Sequence, residues 1–299
     1  MAEQKLTGAA FAALLLTAFM MGANHVAARL AFNHGVDVLT AVGFRSLTTS
    51  AVLGLILWHQ KVSFRVQPAQ RWALLAIGVL IAVQSVCLYS AVSRLPVALA
   101  LLVFNTYPIS IALCARIFYG HRPDRFLLAL MPVMLLGLAL ALDVLGAASG
   151  LGAQAQWGQI GVGVLLGLAA SLTFGLAMVI TQHEVAGLDG RLRSFTTLCL
   201  VAVLACMTGV GQGGFHWPLD GLGWLGLFLL SGLYGTAFTI MFILLPRLGV
   251  VGHSPIMNME PVFALVLAWA LLGQAIAPVQ LLGAAVVMGS VLALGLQRR

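Results

Sequence analysis

Charged residues are scarce in this chain. Asp, Glu, Lys and Arg make up 8% of its 299 residues, whereas 61% of the residues are hydrophobic. A soluble domain of this size needs more polar surface to face water, so the composition excludes a water-soluble globular protein. The composition instead indicates a chain whose outer surface is solvated by lipid.

Cysteine is also scarce, and the four that occur (Cys87, Cys114, Cys199 and Cys206) lack Cys-x-x-Cys spacing. This pattern supports neither a metal site nor a disulfide framework. The glycine-rich stretch 211–214 has neither the lysine nor the strand context of a phosphate loop. We therefore expect no enzyme activity, no cofactor and no metal, and we expect any solute movement to be driven by gradients.

Long apolar runs, in contrast, fill the chain. A hydrocarbon core about 30 Å thick requires roughly 20 apolar residues for each helix that crosses it. The runs predict an all-α polytopic membrane protein with ten transmembrane helices, at residues 7–31, 37–58, 71–92, 96–119, 124–146, 157–182, 192–213, 221–245, 250–273 and 277–296.

The few positive charges indicate how the chain is oriented. With the N-terminus in the cytoplasm, most Lys and Arg residues fall at cytoplasmic helix ends, while the outer loops 143–157 and 211–221 contain none. This bias places both termini in the cytoplasm. The net charge of +7 is then a topology signal, and we expect no nucleic-acid partner.

The second half of the chain aligns with the first at a shift of 153 residues. The residues that coincide are Gly22 with Gly175, Arg94 with Arg247, Asn105 with Asn258, Pro108 with Pro261, and Gly120 with Gly273. We predict two five-helix repeats, 1–149 and 150–299. Because five is odd, the second repeat enters the membrane from the opposite side. Inverted repeats are typical of secondary transporters that bind substrate near the bilayer midplane.

Several short motifs carry a family resemblance: Gly22-Ala23-Asn24, Phe44-Arg45, Asn105 with Pro108, Met259-Glu260-Pro261, and Gln280-Leu281-Leu282-Gly283. With these motifs the chain resembles the EamA-type ten-helix branch of the drug/metabolite transporter superfamily. Within that branch it is most similar to bacterial exporters of aromatic and other neutral amino acids. The resemblance implies a multi-pass carrier of the bacterial inner membrane that exports small metabolites.

From repeat and resemblance together we predict a secondary transporter that exports neutral amino acids, with aromatic ones expected. It would work by alternating access through a central cavity between the repeats. Its partners would be the small-molecule substrate, the lipid bilayer and, as a candidate coupling ion, protons. One alternative is a carrier for another small solute, such as a cationic drug. Another is a membrane receptor or scaffold that does not transport.

Residues shared by both halves suit the common architecture. Pro108 and Pro261 remove a backbone donor, which predicts broken helices that could act as hinges. Asn105 and Asn258, three residues upstream, are partners for the broken backbone or contacts for the substrate. The shared glycines (Gly22, Gly120, Gly175 and Gly273) suit close packing or helix ends.

Polar residues found in one half only are the candidates for chemistry. Glu260, whose counterpart is Tyr107, would cost roughly 2.5–3.5 kcal/mol in lipid, so it must face protein or water. It either forms a neutral bond to a neighbouring helix or serves as a site for a proton or the substrate ammonium. His253 lies seven positions earlier on nearly the same helical face. The pair could pass a proton, or His253 could extend into water at the cytoplasmic end.

Arg45, opposite Leu198, needs a partner within the membrane. It could anchor a substrate carboxylate, or it could pair with Asp143 or a backbone carbonyl. An amino acid also needs groups for its zwitterion and a pocket for its side chain. The predicted substrate-binding residues are Asn24, His25, Gln84, Tyr89, Phe104, Asn105, Tyr107, Tyr234, Phe238, Asn258 and Glu260.

Overall fold

A computed structural model describes residues 8–62, 64–121, 125–146, 149–240, 259–274 and 276–297. These residues form helices, and the described loops between them are short. The described helices are α1 (Gly8–Asn33), α2 (Val38–His59), α3 (Pro68–Arg94), α4 (Val97–Phe104), α5 (Tyr107–Tyr119), α6 (Arg125–Ala141), α7 (Ala153–Glu184), α8 (Gly190–Gly211), α9 (Gly221–Thr239), α10 (Glu260–Leu272) and α11 (Pro278–Gln297).

These helices account for the ten predicted membrane segments. Seven spans are long and apolar enough to cross a bilayer, with α4 and α5 together forming one of them. Three shorter apolar helices, α6, α10 and α11, occupy the places of the fifth, ninth and tenth segments, and residues 241–245 of the eighth and 250–258 of the ninth lie outside the described residues. The prediction of a ten-helix membrane protein is confirmed.

The fourth segment was predicted as one helix over 96–119, but the structure divides it into two helices. Helix α4 ends before Asn105, whose backbone N–H and side-chain amide both donate to the Leu101 carbonyl at 2.8 Å. Thr106 then precedes α5, and its hydroxyl donates to the Val103 carbonyl at 2.8 Å. The break lies two residues before Pro108, because polar side chains there bind the backbone groups that a helix end leaves open.

Helices α5 and α10, which coincide under the repeat shift, begin and end alike. Pro108 and Pro261 are the second residues of their helices, where the missing N–H has no intrahelical partner to lose. Gly120 and Gly273 follow the last residues with φ angles of 68° and 64°. This left-handed conformation favours glycine, so the prediction of helix-end glycines is confirmed at these two positions.

The most extensive helix packing joins the two halves. Helix α3 packs along α7, and α1 packs along α9; these two pairs exchange under the repeat shift. The pairs α5 with α7 and α1 with α10 exchange in the same way, while α2 with α8 and α6 with α11 map onto themselves. The halves are therefore interlocked by a two-fold pattern, as an inverted repeat requires.

Two shared glycines allow this close approach. A Cβ on Gly22 of α1 would lie 2.7 Å from the Glu260 carbonyl oxygen at the start of α10. A Cβ on Gly175 of α7 would lie 2.7 Å from the Ser110 Cβ in the first turn of α5. Either contact is too short for a real Cβ, so small residues are required where the helices cross. The prediction of packing glycines is confirmed at these crossings.

The outer surface is apolar. Large hydrophobic side chains such as Leu55, Leu136 and Leu165 are exposed along the helices. Trp58 and Trp72 are exposed near helix ends, where membrane proteins place their interfacial aromatic residues. This surface suits a bilayer, so the buried polar side chains in the interior are the ones that need an explanation.

A buried polar network between the two halves

Arg45, on α2, is the centre of the buried polar network. Its side chain is 3% exposed, and it donates to the Tyr89 hydroxyl at 2.8 Å and to the Ser85 hydroxyl at 3.1 Å. Its guanidinium carbon lies 3.9 Å from the centroid of the Tyr234 ring on α9. The pairing with Asp143 considered above does not form, and in the described part of the chain no carboxylate forms an ion pair with Arg45.

Tyr89 extends the network from Arg45 to α1. The fully buried phenol donates to the side-chain oxygen of Asn24 at 2.7 Å, and the Asn24 amide donates to the Met21 carbonyl at 3.2 Å. A weaker branch runs along α3, where Ser85 donates to the Gln84 side-chain oxygen at 3.4 Å. Three helices of the first half are thus tied together through polar side chains.

Glu260 connects the network to the second half. Its Oε1 lies 3.1 Å from Nε2 of His25, and the His25 ring lies 5.4 Å from the Tyr89 ring. Glu260 is the first residue of α10, where the helix dipole favours a negative charge. The His25 side chain is 5% exposed and that of Glu260 is 21% exposed, so the carboxylate is the more accessible member of the pair.

An aromatic cluster lies at the place that the repeat shift relates to the His25 and Glu260 pair. Phe104, Tyr107 and Phe174 have ring centroids 5.3 to 5.7 Å apart. Tyr107 occupies the repeat position of Glu260, and Phe174 that of Met21. A second aromatic pair on α9, Tyr234 and Phe238, has centroids 4.4 Å apart. The interior therefore offers a charged region and an apolar aromatic region.

The structure brings most of the predicted substrate-binding residues together, and it places others elsewhere. The residues connected to the Arg45 network are Asn24, His25, Gln84, Tyr89, Tyr234, Phe238 and Glu260. Phe104 and Tyr107 belong to the aromatic cluster, and the Asn105 side chain binds its own helix. Asn258 and His253 lie outside the described residues. In the segments that are described, no three His, Cys, Asp or Glu side chains come together to hold a metal ion.

Arg45 was considered as a carboxylate anchor or a structural pair but was left out of the predicted substrate-binding set, and Ser85 and Phe174 were not considered. The repeat comparison carried a signal for each of them, because their counterparts Leu198, Phe238 and Met21 differ in chemistry. Ser85 and Phe174 were not singled out because a serine or a phenylalanine in a membrane helix is ordinary. Only the positions of their neighbours distinguish them.

Known proteins show the same architecture. A solved crystal structure of a protein superposes on 97% of this chain and 99% of its own, with a TM-score of 0.63 at 20% sequence identity, a likeness that concerns the fold alone. The threonine/homoserine exporter RhtA of Escherichia coli strain K12 is 27% identical over 235 residues, which cover 76% of this chain and 72% of RhtA. RhtA of the O157:H7 strain matches equally. The EamA-like transporter family matches twice, over residues 8–142 and 161–296, and the chain therefore belongs to this family.

Proposed function

We propose that this transporter exports neutral amino acids across the bacterial inner membrane. The observation that carries the proposal is the polar network itself, which joins α1, α2 and α3 of the first half to α9 and α10 of the second. Ionisable residues inside a membrane protein are rare, and they mark substrate and ion pathways. A network shared by the halves is where a rocking motion would expose a substrate to either side.

The chemistry of the network suits a zwitterion. Glu260 is partly exposed and can accept from an ammonium group, while Asn24 and Gln84 supply amide groups. A cationic drug fits less well, because the buried positive charge of Arg45 would repel a second cation. This argument favours neutral amino acids over the cationic solutes considered from the sequence.

The substrate side chain has two candidate classes. The aromatic cluster of Phe104, Tyr107 and Phe174 supports aromatic amino acids, since aromatic rings pair favourably at such distances. The similarity to a threonine/homoserine exporter supports small hydroxylated amino acids. The aromatic class remains our first choice, and the two classes are separated by competition.

The coupling ion in this proposal is the proton, and the coupling group is Glu260. His25 is a described partner at 3.1 Å, whereas His253, the partner expected from the sequence, lies outside the described residues. The repeats 1–149 and 150–299 would move about the breaks at Pro108 and Pro261. A proton bound at Glu260 and an ammonium at the same carboxylate would exclude each other, which is the requirement for exchange of substrate against protons.

Counterflow in proteoliposomes tests the proposal. Vesicles loaded with unlabelled amino acid should accumulate labelled Phe, Trp, Thr or homoserine, and empty vesicles should not. A pH gradient that drives protons into the loaded vesicles should stimulate export of the amino acid from them. Flux of Phe or Trp with which Thr does not compete would establish the aromatic class. Flux of Thr or homoserine with which Phe and Trp do not compete would establish the small hydroxylated class. Absence of flux for every neutral amino acid would contradict the proposal and favour a receptor or scaffold.

A further inference from the structure

Arg45 has a charge that the described protein does not neutralise. It lies about two turns inside α2, is 3% exposed, and its hydrogen bonds go to two neutral hydroxyl groups. A guanidinium stays charged in proteins, and a buried charge without an opposite partner is costly. The described contacts of Arg45 therefore leave its positive charge able to bind an anion.

The unused hydrogen-bonding capacity of Arg45 has a specific geometry. A guanidinium has five N–H donors, and the N–H of Nε lies side by side with one N–H of Nη2. The Nε atom is buried and has no hydrogen-bond partner among the described residues, while Nη2 donates only to Ser85. These two nitrogens form the fork that binds both oxygens of a carboxylate.

Tyr89 and Tyr234 hold the guanidinium without occupying that fork. The Tyr234 ring lies 3.9 Å from the guanidinium carbon and the Tyr89 ring 4.7 Å from it. Contact with an aromatic ring spreads over the ring face and leaves N–H edges available. The Tyr89 hydroxyl accepts from Nη1, which is not part of the edge formed by Nε and Nη2.

Arg29 provides a contrast within the same protein. Its guanidinium, on α1, donates to the carbonyl oxygens of Val92 and Leu95 at 2.6 and 3.2 Å, at the C-terminal end of α3. Cations are stabilising at that end of a helix dipole. The Nε of Arg29 is also buried without a described hydrogen-bond partner, but the charge of Arg29 is stabilised by this helix end. The described contacts of Arg45 are two hydroxyls and two rings, and none of them is anionic.

We propose that Arg45 is the anchor for the α-carboxylate of the transported amino acid. This inference rests on the proposed function, and it names the group that the substrate must carry. The carboxylate binds the Nε and Nη2 edge of Arg45. The ammonium binds toward Glu260, which connects to Arg45 through His25 and Tyr89. The Tyr234 ring covers the guanidinium and shifts as the substrate enters.

The experiment compares substrates with their carboxamides. Wild-type protein in proteoliposomes takes up labelled L-phenylalanine or L-threonine by counterflow, in competition with the unlabelled amino acid or with L-phenylalaninamide or L-threoninamide. The amides keep size and ammonium but lose the anionic charge. Since a hydrogen-bonded charge pair is lost, the amide should compete roughly ten-fold or more weakly than the acid. Equal competition by acid and amide would overturn the role of Arg45.

Variants assign the discrimination to this residue. Arg45→Gln should raise the KM for the amino acid and bring acid and amide to nearly equal competition, while Arg45→Lys should retain part of the preference. Arg29→Gln is the matched control, which should lower thermal stability and keep the wild-type ratio of acid to amide. If folded Arg45→Gln kept that ratio, the inference would be wrong. If Arg45→Gln does not fold, the wild-type competition decides alone. Failure of all neutral amino acids to exchange would instead refute the proposed function.

Discussion

The two places where a broken helix meets its neighbour from the other half have the same backbone and opposite chemistry. At one, Gly22 of α1 packs on the start of α10, and His25 bonds to Glu260. At the other, Gly175 of α7 packs on the start of α5, and Phe174 packs against Tyr107. Helix crossing, first-turn proline and terminal glycine are common to both junctions.

The difference shows that a duplicated scaffold can keep one packing requirement in both halves while the chemistry beside it varies. The crossing needs a small residue in both halves, because a larger side chain there would clash with the neighbouring helix. The neighbouring positions have no such constraint, so one junction can hold a carboxylate and an imidazole while the other holds aromatic rings. The symmetric residues thus form the crossings, and the asymmetric ones give each junction its own chemistry.

The loops on the expected outer face extend the comparison. His34 bonds to Asp220 at 2.6 Å and His216 to Asp37 at 2.9 Å, which joins the loop after α1 to the loop before α9. At the symmetry-related place on the other face, the Arg191 side chain donates to Gln60 instead. The outer loops are thus joined by ionisable pairs, whereas the contact on the other face joins a neutral amide to an arginine that is itself paired with Asp189 of its own loop.

The largest expected effect comes from filling the shared crossing. Gly22→Leu and Gly175→Leu should each destabilise the fold by about 1–3 kcal/mol or more, because the new side chain meets backbone or Cβ atoms at 2.7 Å. Thermal unfolding in detergent measures the effect. Gly232→Leu is the control, since that glycine is exposed on α9 and a Cβ there meets no described atom within 4 Å. Equal stability of all three variants would refute a shared packing role.

Next in size is the loss of coupling at the charged junction. Glu260→Gln should abolish the stimulation of export by a pH gradient while allowing counterflow, because the amide cannot take up and release a proton. Tyr107→Phe, at the equivalent place in the aromatic junction, should keep the stimulation. Gradient-driven flux that survives Glu260→Gln would give Glu260 a structural role.

A smaller effect is expected at the aromatic junction. Phe174→Ala removes two ring contacts, each of which contributes about 0.5–1.5 kcal/mol. The KM for Phe and Trp should rise several-fold in counterflow, and the KM for Thr should change little. Leu172→Ala, an exposed site on the same helix, is the control. A parallel rise for Thr would show that the cluster supports the fold and does not select the substrate.

The smallest effect concerns the outer loops. Burial raises the pKa of Asp37, but hydrogen bonds from Thr40 and His216 outweigh it and hold the pKa below its usual value. A carboxyl with a lowered pKa stabilises the fold above its unfolded pKa of about 3.9, and that stabilisation is lost as pH falls toward the folded value.

Asp37→Asn should therefore remove part of the acid sensitivity of unfolding below about pH 4, with a loss near neutral pH of roughly 0.2–1 kcal/mol. Thermal unfolding of both proteins between pH 7 and pH 3 measures this. Gln60→Ala, on the opposite face, should leave the acid slope unchanged. Identical slopes for wild type and Asp37→Asn would exclude a contribution from this carboxylate.

Much of this protein was predictable from the sequence, for reasons that particular residues make clear. Apolar runs of fixed length predicted ten spans, since lipid tolerates little else. Coinciding residues such as Gly22 with Gly175 and Gly120 with Gly273 predicted the packing and helix ends. Glu260 was singled out because an acidic side chain within a membrane span is energetically costly unless it faces protein or water. The break at Asn105 was predicted only as a feature of the prolines, not as two separate helices.

The sequence by itself determined the membrane class, the repeat and the family resemblance, because composition, spacing and periodicity are properties of the chain alone. Only the tertiary structure decided which polar groups meet. His25 and Glu260 are 235 positions apart, and Gln274 accepts from the backbone N–H of Val97 across 177 positions. Such pairings follow from how helices of the two halves cross. For the same reason, only the fold could place Arg45 between two tyrosines, with no carboxylate paired to it among the described residues.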